Sequence, residues 1–411
     1  MPIHSNNYKW YILILVILTN MFITAIPLMG MSVMTKEISN DLGLSLVQVG
    51  MIWGIGALPG IFTSLLGGMI GDKVGPKRVL IISTLMGGLL GMARGLAGDF
   101  LSLMILVILL GAVTPVVLMN TIKSLGEWFP PQQLGLANGM QSMGMALGFM
   151  IGSLFSATTF SPLLGGWRNV LIVYGVIGAL FSIAWFFTPA NSRGTKSAGI
   201  SLSLQKALQH VSGLKSIWLL GLGLFGISGA IQGTLGYLPL YLRNIGWQPI
   251  HADGALSAFH TISMISVLPI VLLSDLLGSR KRLLLIASSM IVFGLGLLSF
   301  VGDGWVWMAV LLSGSVRDAF MAIFQTTVIE TDHVGPIYAG TAIGFTMGIS
   351  GISNAIAPPI GNSLAVLWPG APFAFWSALS IFGLVCLWRI KEVNRDRNNL
   401  VVEIISVQSE N

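Results

Sequence analysis

Charge is what this sequence has least of. Only 9% of its 411 residues are Asp, Glu, Lys or Arg, whereas a soluble domain carries roughly a quarter because its surface must face water. With 54% apolar residues and a mean hydropathy of +0.84, most of the outer surface has to face lipid. Cysteine is nearly absent as well. The single Cys386 lies in an apolar run, which excludes a disulfide framework and any Cys-based metal site. The five histidines, at 4, 210, 251, 260 and 333, are scattered, so neither a His-Glu-x-x-His pair nor another intramembrane-enzyme constellation forms. No Gly-rich phosphate loop appears, and neither a cofactor nor a metal is expected. The net charge of +6 does not point to nucleic acid, because the basic residues punctuate loops rather than gather on one face.

Apolar runs and glycine are what it has. Glycine, 51 residues without a collagen-like period, suits helices that approach one another closely in a membrane. A hydrocarbon core of about 30 Å needs about 20 apolar residues in a helix, and that ruler places about twelve spans. They lie near 10–33, 47–71, 79–97, 100–122, 133–157, 168–188, 216–242, 254–277, 283–301, 304–328, 337–363 and 371–389. The first is long enough to span and has no small-residue cleavage site, so it reads as a membrane helix rather than a leader. Ser45-Leu46-Val47-Gln48 reads as a capping box opening the second span, and Pro130-Pro131 suits the first turn of the fifth.

Lys and Arg in the short loops set the orientation. With the N-terminus inside, one side holds Lys9, Lys73, Lys77, Arg78, Lys123, Arg193, Lys196, Lys206, Lys215, Arg280, Lys281, Arg282, Arg389, Lys391, Arg395 and Arg397. The other side holds Lys36, Arg94, Arg168 and Arg243, and Arg317 lies in mid-membrane. Sixteen against four predicts a multi-pass protein of the plasma (inner) membrane with both termini cytoplasmic. Arg94 and Lys123, at span ends, are expected to snorkel.

The longest polar connection follows the sixth span. The expected organisation is therefore a six-helix bundle over 1–188, a cytoplasmic linker over 189–215, a second bundle over 216–389 and a cytoplasmic tail over 390–411. Within the linker, Leu204, Leu208, Val211 and Leu214 share one helical face, as in a helix lying on the inner leaflet. The halves also repeat one another. Asp72-x-x-Gly75-x-Lys77-Arg78 recurs as Asp275-x-x-Gly278-x-Arg280-Lys281 at an offset of 203, and Glu127 recurs as Glu330 at 203. Gly98-Asp99 recurs as Gly302-Asp303 at 204, and Gly135-x-Ala137-x-Gly139 as Gly340-x-Ala342-x-Gly344 at 205. Four matches in order at nearly one offset indicate a duplicated six-helix unit, the architecture of rocking, alternating-access transporters.

Gly68-Met-Ile-Gly-Asp72-Lys-Val-Gly75-Pro-Lys77-Arg78 resembles the signature loop of the major facilitator superfamily between its second and third helices. The resemblance covers nearly the whole chain, and it implies an all-α membrane protein of two pseudo-symmetric bundles carrying out secondary transport. Glu127-Trp-Phe-Pro130, then Gly135-Leu-Ala-Asn-Gly139 and the glycines at 144, 148 and 152, look like the nitrate/nitrite, cyanate and organic-anion branches. The chain departs from nitrate porters, which have arginines on helices two and eight; it has none on helix two and His260 on helix eight.

Ionisable residues inside a membrane face protein or a water-filled cavity, because lipid exposure is costly. Arg317 and Asp318, near the middle of the tenth span, are the expected anion anchor and its orienting partner or proton carrier. His260, which titrates near neutral pH when unperturbed, is a further coupling candidate. Asn20, Gln141, Gln232, Tyr237, Gln325 and Asn354 are the uncharged candidates for a central cavity. Gating is expected from one charge cluster per half: Asp72, Arg78 and Glu127 in the first, Asp275, Arg282 and Glu330 in the second. The expected partners are lipid, a small-molecule solute and coupling protons, with the chain a monomer. The leading reading is proton-coupled transport of a small organic or inorganic anion; the alternative is proton-coupled export of a neutral or amphipathic compound.

Overall fold

The computed structural model describes residues 8–189, 204–277, 279–300 and 303–391. Ten helices in it are long and apolar enough to cross a membrane. Two more complete a set of twelve: Pro76–Arg94, diluted by Lys77, Arg78 and Arg94, and Gly335–Ser363, diluted by glycine and proline. In chain order the spans are Tyr8–Val33; Leu46–Ile55 continued by Ala57–Val74; Pro76–Arg94; Phe100–Trp128; Pro131–Phe155 with its extension to Leu164; Trp167–Phe187; Lys215–Asn244; Pro249–Leu277; Arg280–Leu298; Asp303–Glu330; Gly335–Ser363; and Ala371–Trp388. Large apolar side chains such as Phe62, Phe187, Leu276, Phe293 and Trp388 stand exposed around the belt. Water would penalise so extensive an apolar surface, whereas lipid accommodates it.

Local chemistry explains several features. Ser45 and Gln48 form the expected capping box, with Ser45 N–H donating to Gln48 Oε1 at 2.9 Å and Gln48 N–H to Ser45 Oγ at 3.3 Å. Gly75, at φ +87°, adopts the left-handed turn joining the second and third spans, where a Cβ would be strained. The first and fifth spans each contain a five-residue π turn, Met21–Ala25 and Ser156–Phe160. Pro27 and Pro162 follow them, and a proline lacks an N–H and crowds the preceding turn, so the helix widens there instead of breaking.

Helix pairing repeats between the halves. The third span packs on the sixth as the ninth on the twelfth, and the second on the fourth as the eighth on the tenth. Between halves, the second span meets the eleventh and the fifth meets the eighth, a pairing that one pseudo-two-fold axis exchanges. Glycine permits the tightest approaches: a Cβ on Gly88 would lie 2.2 Å from Ala179 N, and one on Gly175 would lie 2.2 Å from Met92 N.

An even number of spans puts both chain ends at one end of the bundle. Hydrogen bonds between the halves run toward the opposite, closed end. Trp53 Nε1 donates to Gln232 O at 2.6 Å, Ser32 Oγ to Leu235 O at 2.5 Å, Arg243 Nη1 to Val33 O at 2.7 Å and Asn362 Nδ2 to Leu46 O at 2.9 Å. At the end bearing the termini the halves splay. A Cβ placed on Gly135, Gly139, Gly340 or Gly344 would meet nothing within 4 Å. Deeper along the same helices, Gly152 abuts Ile26 O and Gly351 abuts Ile61. The structure is open at the terminal end and sealed at the other.

The linker contributes Leu204–Ser212. It docks on the second half rather than exposing its apolar face uniformly: Ala207 and Val211 are buried, Leu208 is exposed, and the His210 ring stacks on Tyr338 at 4.2 Å. His210 Nε2 also lies 2.8 Å from His333 O.

Candidate functional site

Three of the expected residues converge where the halves meet. Arg317 and Asp318 sit mid-way along the tenth span, their side chains 20% and 34% exposed, beside His260 of the eighth. Arg317 Nη1 lies 3.2 Å from Asp318 Oδ1 and 3.4 Å from His260 Nδ1. A guanidinium only donates, so Nδ1 accepts and the imidazole proton belongs on Nε2. That nitrogen lies 3.1 Å from Met29 Sδ across the interface. His260 is fully buried, and its ring lies 5.2 Å, at a tilt of 32°, from the Phe149 ring of the fifth span. The Arg317 guanidinium lies 5.8 Å from the centre of that ring, within cation–π reach. Ser263 Oγ accepts from Asp318 N–H at 3.1 Å, fastening the eighth span to the tenth beside the carboxylate.

Both halves therefore contribute to this junction: Met29 and Phe149 from the first, His260, Ser263, Arg317 and Asp318 from the second. The guanidinium has five N–H donors, and among the described residues its polar neighbours engage Nη1 alone. Donors remain for an oxyanion. Sequence inspection missed Met29, Phe149 and Ser263, because they carry no charge and belong to other spans.

The uncharged candidates do not gather there. Asn20 Nδ2 donates to Val16 O and Thr121 Oγ1, both at 3.1 Å, joining the first span to the fourth. Tyr237 packs against Tyr241, Phe373 and Trp376, with its hydroxyl 3.5 Å from Pro369 O. Asn354 Oδ1 accepts from Ser228 Oγ at 2.9 Å, joining the eleventh span to the seventh. Gln232 offers its backbone carbonyl to Trp53. Gln141 is buried with Oε1 unpartnered among the described residues, and Gln325 is exposed.

The loop charges take partners other than the expected ones. Asp72 pairs with Lys123 at 2.5 Å rather than with Arg78, so Lys123 is held by an ion pair instead of snorkelling free. Lys77 donates to Thr188 O, stabilising the carbonyl end of the sixth span. Arg78 is exposed. In the second half, Glu330 Oε2 accepts from Arg280 Nε at 2.6 Å, and Arg282 is exposed. Gly278 and the side chain of Asp275 lie outside the described residues. Both pairs stay within their own half and are formed while the adjacent end stands open. Glu127, at the end of the fourth span, is half-buried.

Two arginines expected in water are buried. Arg243 reaches Asp253 through Nη2 at 2.6 and 2.7 Å to its two oxygens, with side chains 7% and 0% exposed. The eighth helix begins at Pro249, earlier than apolar content suggests, and carries Asp253 inward. Arg94 is 4% exposed and, among the described residues, its one hydrogen-bond contact is Met31 Sδ at 3.6 Å, so it does not snorkel.

Comparison with known proteins agrees with this architecture. The chain is 26% identical over 346 residues to the 3-(3-hydroxy-phenyl)propionate transporter of Escherichia coli (strain K12), covering 79% of this chain and 84% of that one. It is 24% identical over 391 residues to the "Probable nitrate/nitrite antiporter NarK1" of Thermus thermophilus, covering 87% and 85%. In fold it resembles the crystal structure of a bacterial homologue of the human lysosomal transporter Spinster, with a TM-score of 0.76, 16% identity and 93% and 95% coverage. The family model described as Major Facilitator Superfamily matches residues 12–352, and the chain belongs to that superfamily of membrane transporters.

Proposed function

We propose that this chain is a secondary transporter of small organic or inorganic anions, with Arg317 as anchor and protons as the coupling ion. The observation that carries the reading is the half-buried guanidinium of Arg317, placed between the two halves with donors to spare. An arginine fork matches planar oxyanions such as carboxylate and nitrate through paired hydrogen bonds. The relatives named above are described as transporting an aromatic propionate and nitrate/nitrite, both anions.

Asp318 supplies a route to coupling. Ionised, it competes with the substrate for Arg317 from 3.2 Å. Protonated, it withdraws that competition, so proton and anion bind together and leave together. Phe149 and Met29 tie occupancy to the opposite half. Rocking about the site then breaks the Trp53, Ser32 and Arg243 contacts at the closed end and brings the splayed end together. The excess of Lys and Arg supports a cytoplasmic location for the open end, and the charge pairs there brace each half as it moves.

The Arg317–Asp318 pair also supports a second reading, proton-coupled export of a neutral compound, in which the carboxylate permanently neutralises the arginine. Uptake into proteoliposomes distinguishes the two. Labelled monocarboxylates and nitrate should accumulate with an imposed pH gradient and not without it. Arg317→Ala at parental rates for anions would reject the anchor.

A further inference from the structure

Arg94 closes the third span inside the first half, away from the Arg317 junction. Its side chain lines a small cavity with Phe22 and Pro27 of the first span, Gly87 and Gly91 of the third, and Tyr174 of the sixth. A buried guanidinium ordinarily pairs with a carboxylate or several carbonyl oxygens, because desolvating its charge is costly. Here it has neither. Among the described residues, Nε has no partner and Nη1 meets only the weakly accepting sulfur of Met31 at 3.6 Å. Tyr174 also lines the cavity, and its hydroxyl lies 2.8 Å from Ser156 Oγ. Two hydroxyls that share one hydrogen bond leave one O–H proton to donate elsewhere. Among the described residues, the side chains lining the cavity thus include a buried guanidinium and no carboxylate to match its charge. Glycines give it room: a Cβ on Gly91 would lie 3.4 Å from Gly175 Cα and 4.0 Å from Arg94 Nη2.

We propose that this cavity is a second binding site, resident in the first half, for one small monovalent inorganic anion of halide or nitrate size. The anion compensates Arg94 and accepts from the Tyr174 hydroxyl. It also bridges the third and sixth spans, which otherwise meet through glycine backbones, and so braces the wall behind the first span's π turn. The site is independent of the transport reading at Arg317.

Thermal unfolding of the purified full-length chain tests it, with chloride or nitrate replacing bulky gluconate at constant ionic strength. The native chain should show a saturable rise in unfolding temperature. Arg317→Gln should retain that rise, which separates this site from the junction. Added to Arg317→Gln, which removes the transport anchor, Arg94→Gln should abolish it and should unfold in gluconate no lower than Arg317→Gln alone, since no buried charge is left uncompensated. If that protein does not fold, Gly91→Ala in the Arg317→Gln background decides: its methyl meets only ordinary contacts yet occupies the cavity, so it should fold and lose the response. Absence of a saturable rise in Arg317→Gln, or its persistence once Arg94→Gln or Gly91→Ala is added to Arg317→Gln, would each overturn the proposal.

Discussion

Replacing Gly50 by alanine drives a methyl group between the halves at the closed end. Its Cβ would lie 2.7 Å from both Cα and N of Pro359, on the facing eleventh span. Non-bonded carbons prefer about 3.5–4.0 Å, so the two backbones must part by roughly 1 Å. Proline backbone cannot turn aside as a flexible side chain would. Overpacking of this kind costs about 1–3 kcal/mol. Gly50 and Pro359 belong to different halves, so the cost falls on the state in which this end is shut and vanishes once it opens. A cost of that size shifts the ratio of the two states by roughly 5- to 150-fold. Cysteine accessibility reads the shift. Cys386, the sole native cysteine, is first replaced by serine, and a cysteine is placed at Gly139, which faces open space at the splayed end. Its labelling by an impermeant maleimide should fall when Gly50→Ala is added. Gly135→Ala, whose methyl meets nothing within 4 Å, should leave labelling unchanged. A folded Gly50→Ala protein with parental labelling would refute the assignment of this seam as the part of the seal that opens.

Other outcomes follow from the same geometry. Arg317→Lys should insert normally but transport poorly, because it keeps charge and loses the planar fork; uptake and membrane abundance are measured together. Asp253→Asn should lower stability by about 3–5 kcal/mol by leaving Arg243 buried without its carboxylate, and the joint change Arg243→Met with Asp253→Leu should recover most of the loss in thermal unfolding. Lys123→Ala should cost only about 0–1 kcal/mol, since its partner Asp72 is 72% exposed. Asn20→Ala should lower the unfolding temperature while leaving the KM for substrate unchanged, because its partners are Val16 and Thr121 rather than the Arg317 junction. A reporter active only in the cytoplasm should work after Asn411 and stay silent near Trp247.

Length and repetition made most of the architecture readable in advance. Apolar runs located the spans, the 203-residue offset of Asp72 and Asp275 exposed the duplication, and Ser45 with Gln48 marked a helix start. Arg317, Asp318 and His260 stood out because a charge or an imidazole in an apolar run needs a reason. Their neighbours did not. Met29 and Phe149 look like any other core side chains until the first and fifth spans are packed against the eighth. Partner choice was equally hidden. Lys123 rather than Arg78 meets Asp72 because the second and fourth spans pack side by side, and no spacing encodes that. Arg94 and Arg243 were misplaced for one shared reason. A loop-based count puts cations near span ends in water, yet a polar helix start at Pro249 carried Asp253 inward beside Arg243, and the packing of the first, third and sixth spans buried Arg94.

The account rests on an anion riding on Arg317, and one measurement addresses that directly. Proteoliposomes holding the native chain, Arg317→Ala or Arg317→Lys are supplied with labelled nitrate and monocarboxylates, with and without an imposed pH gradient. The account predicts gradient-driven anion accumulation by the native chain alone, with both variants near the level of empty vesicles despite equal reconstitution. Accumulation of the same anions by Arg317→Ala at the native rate would contradict it.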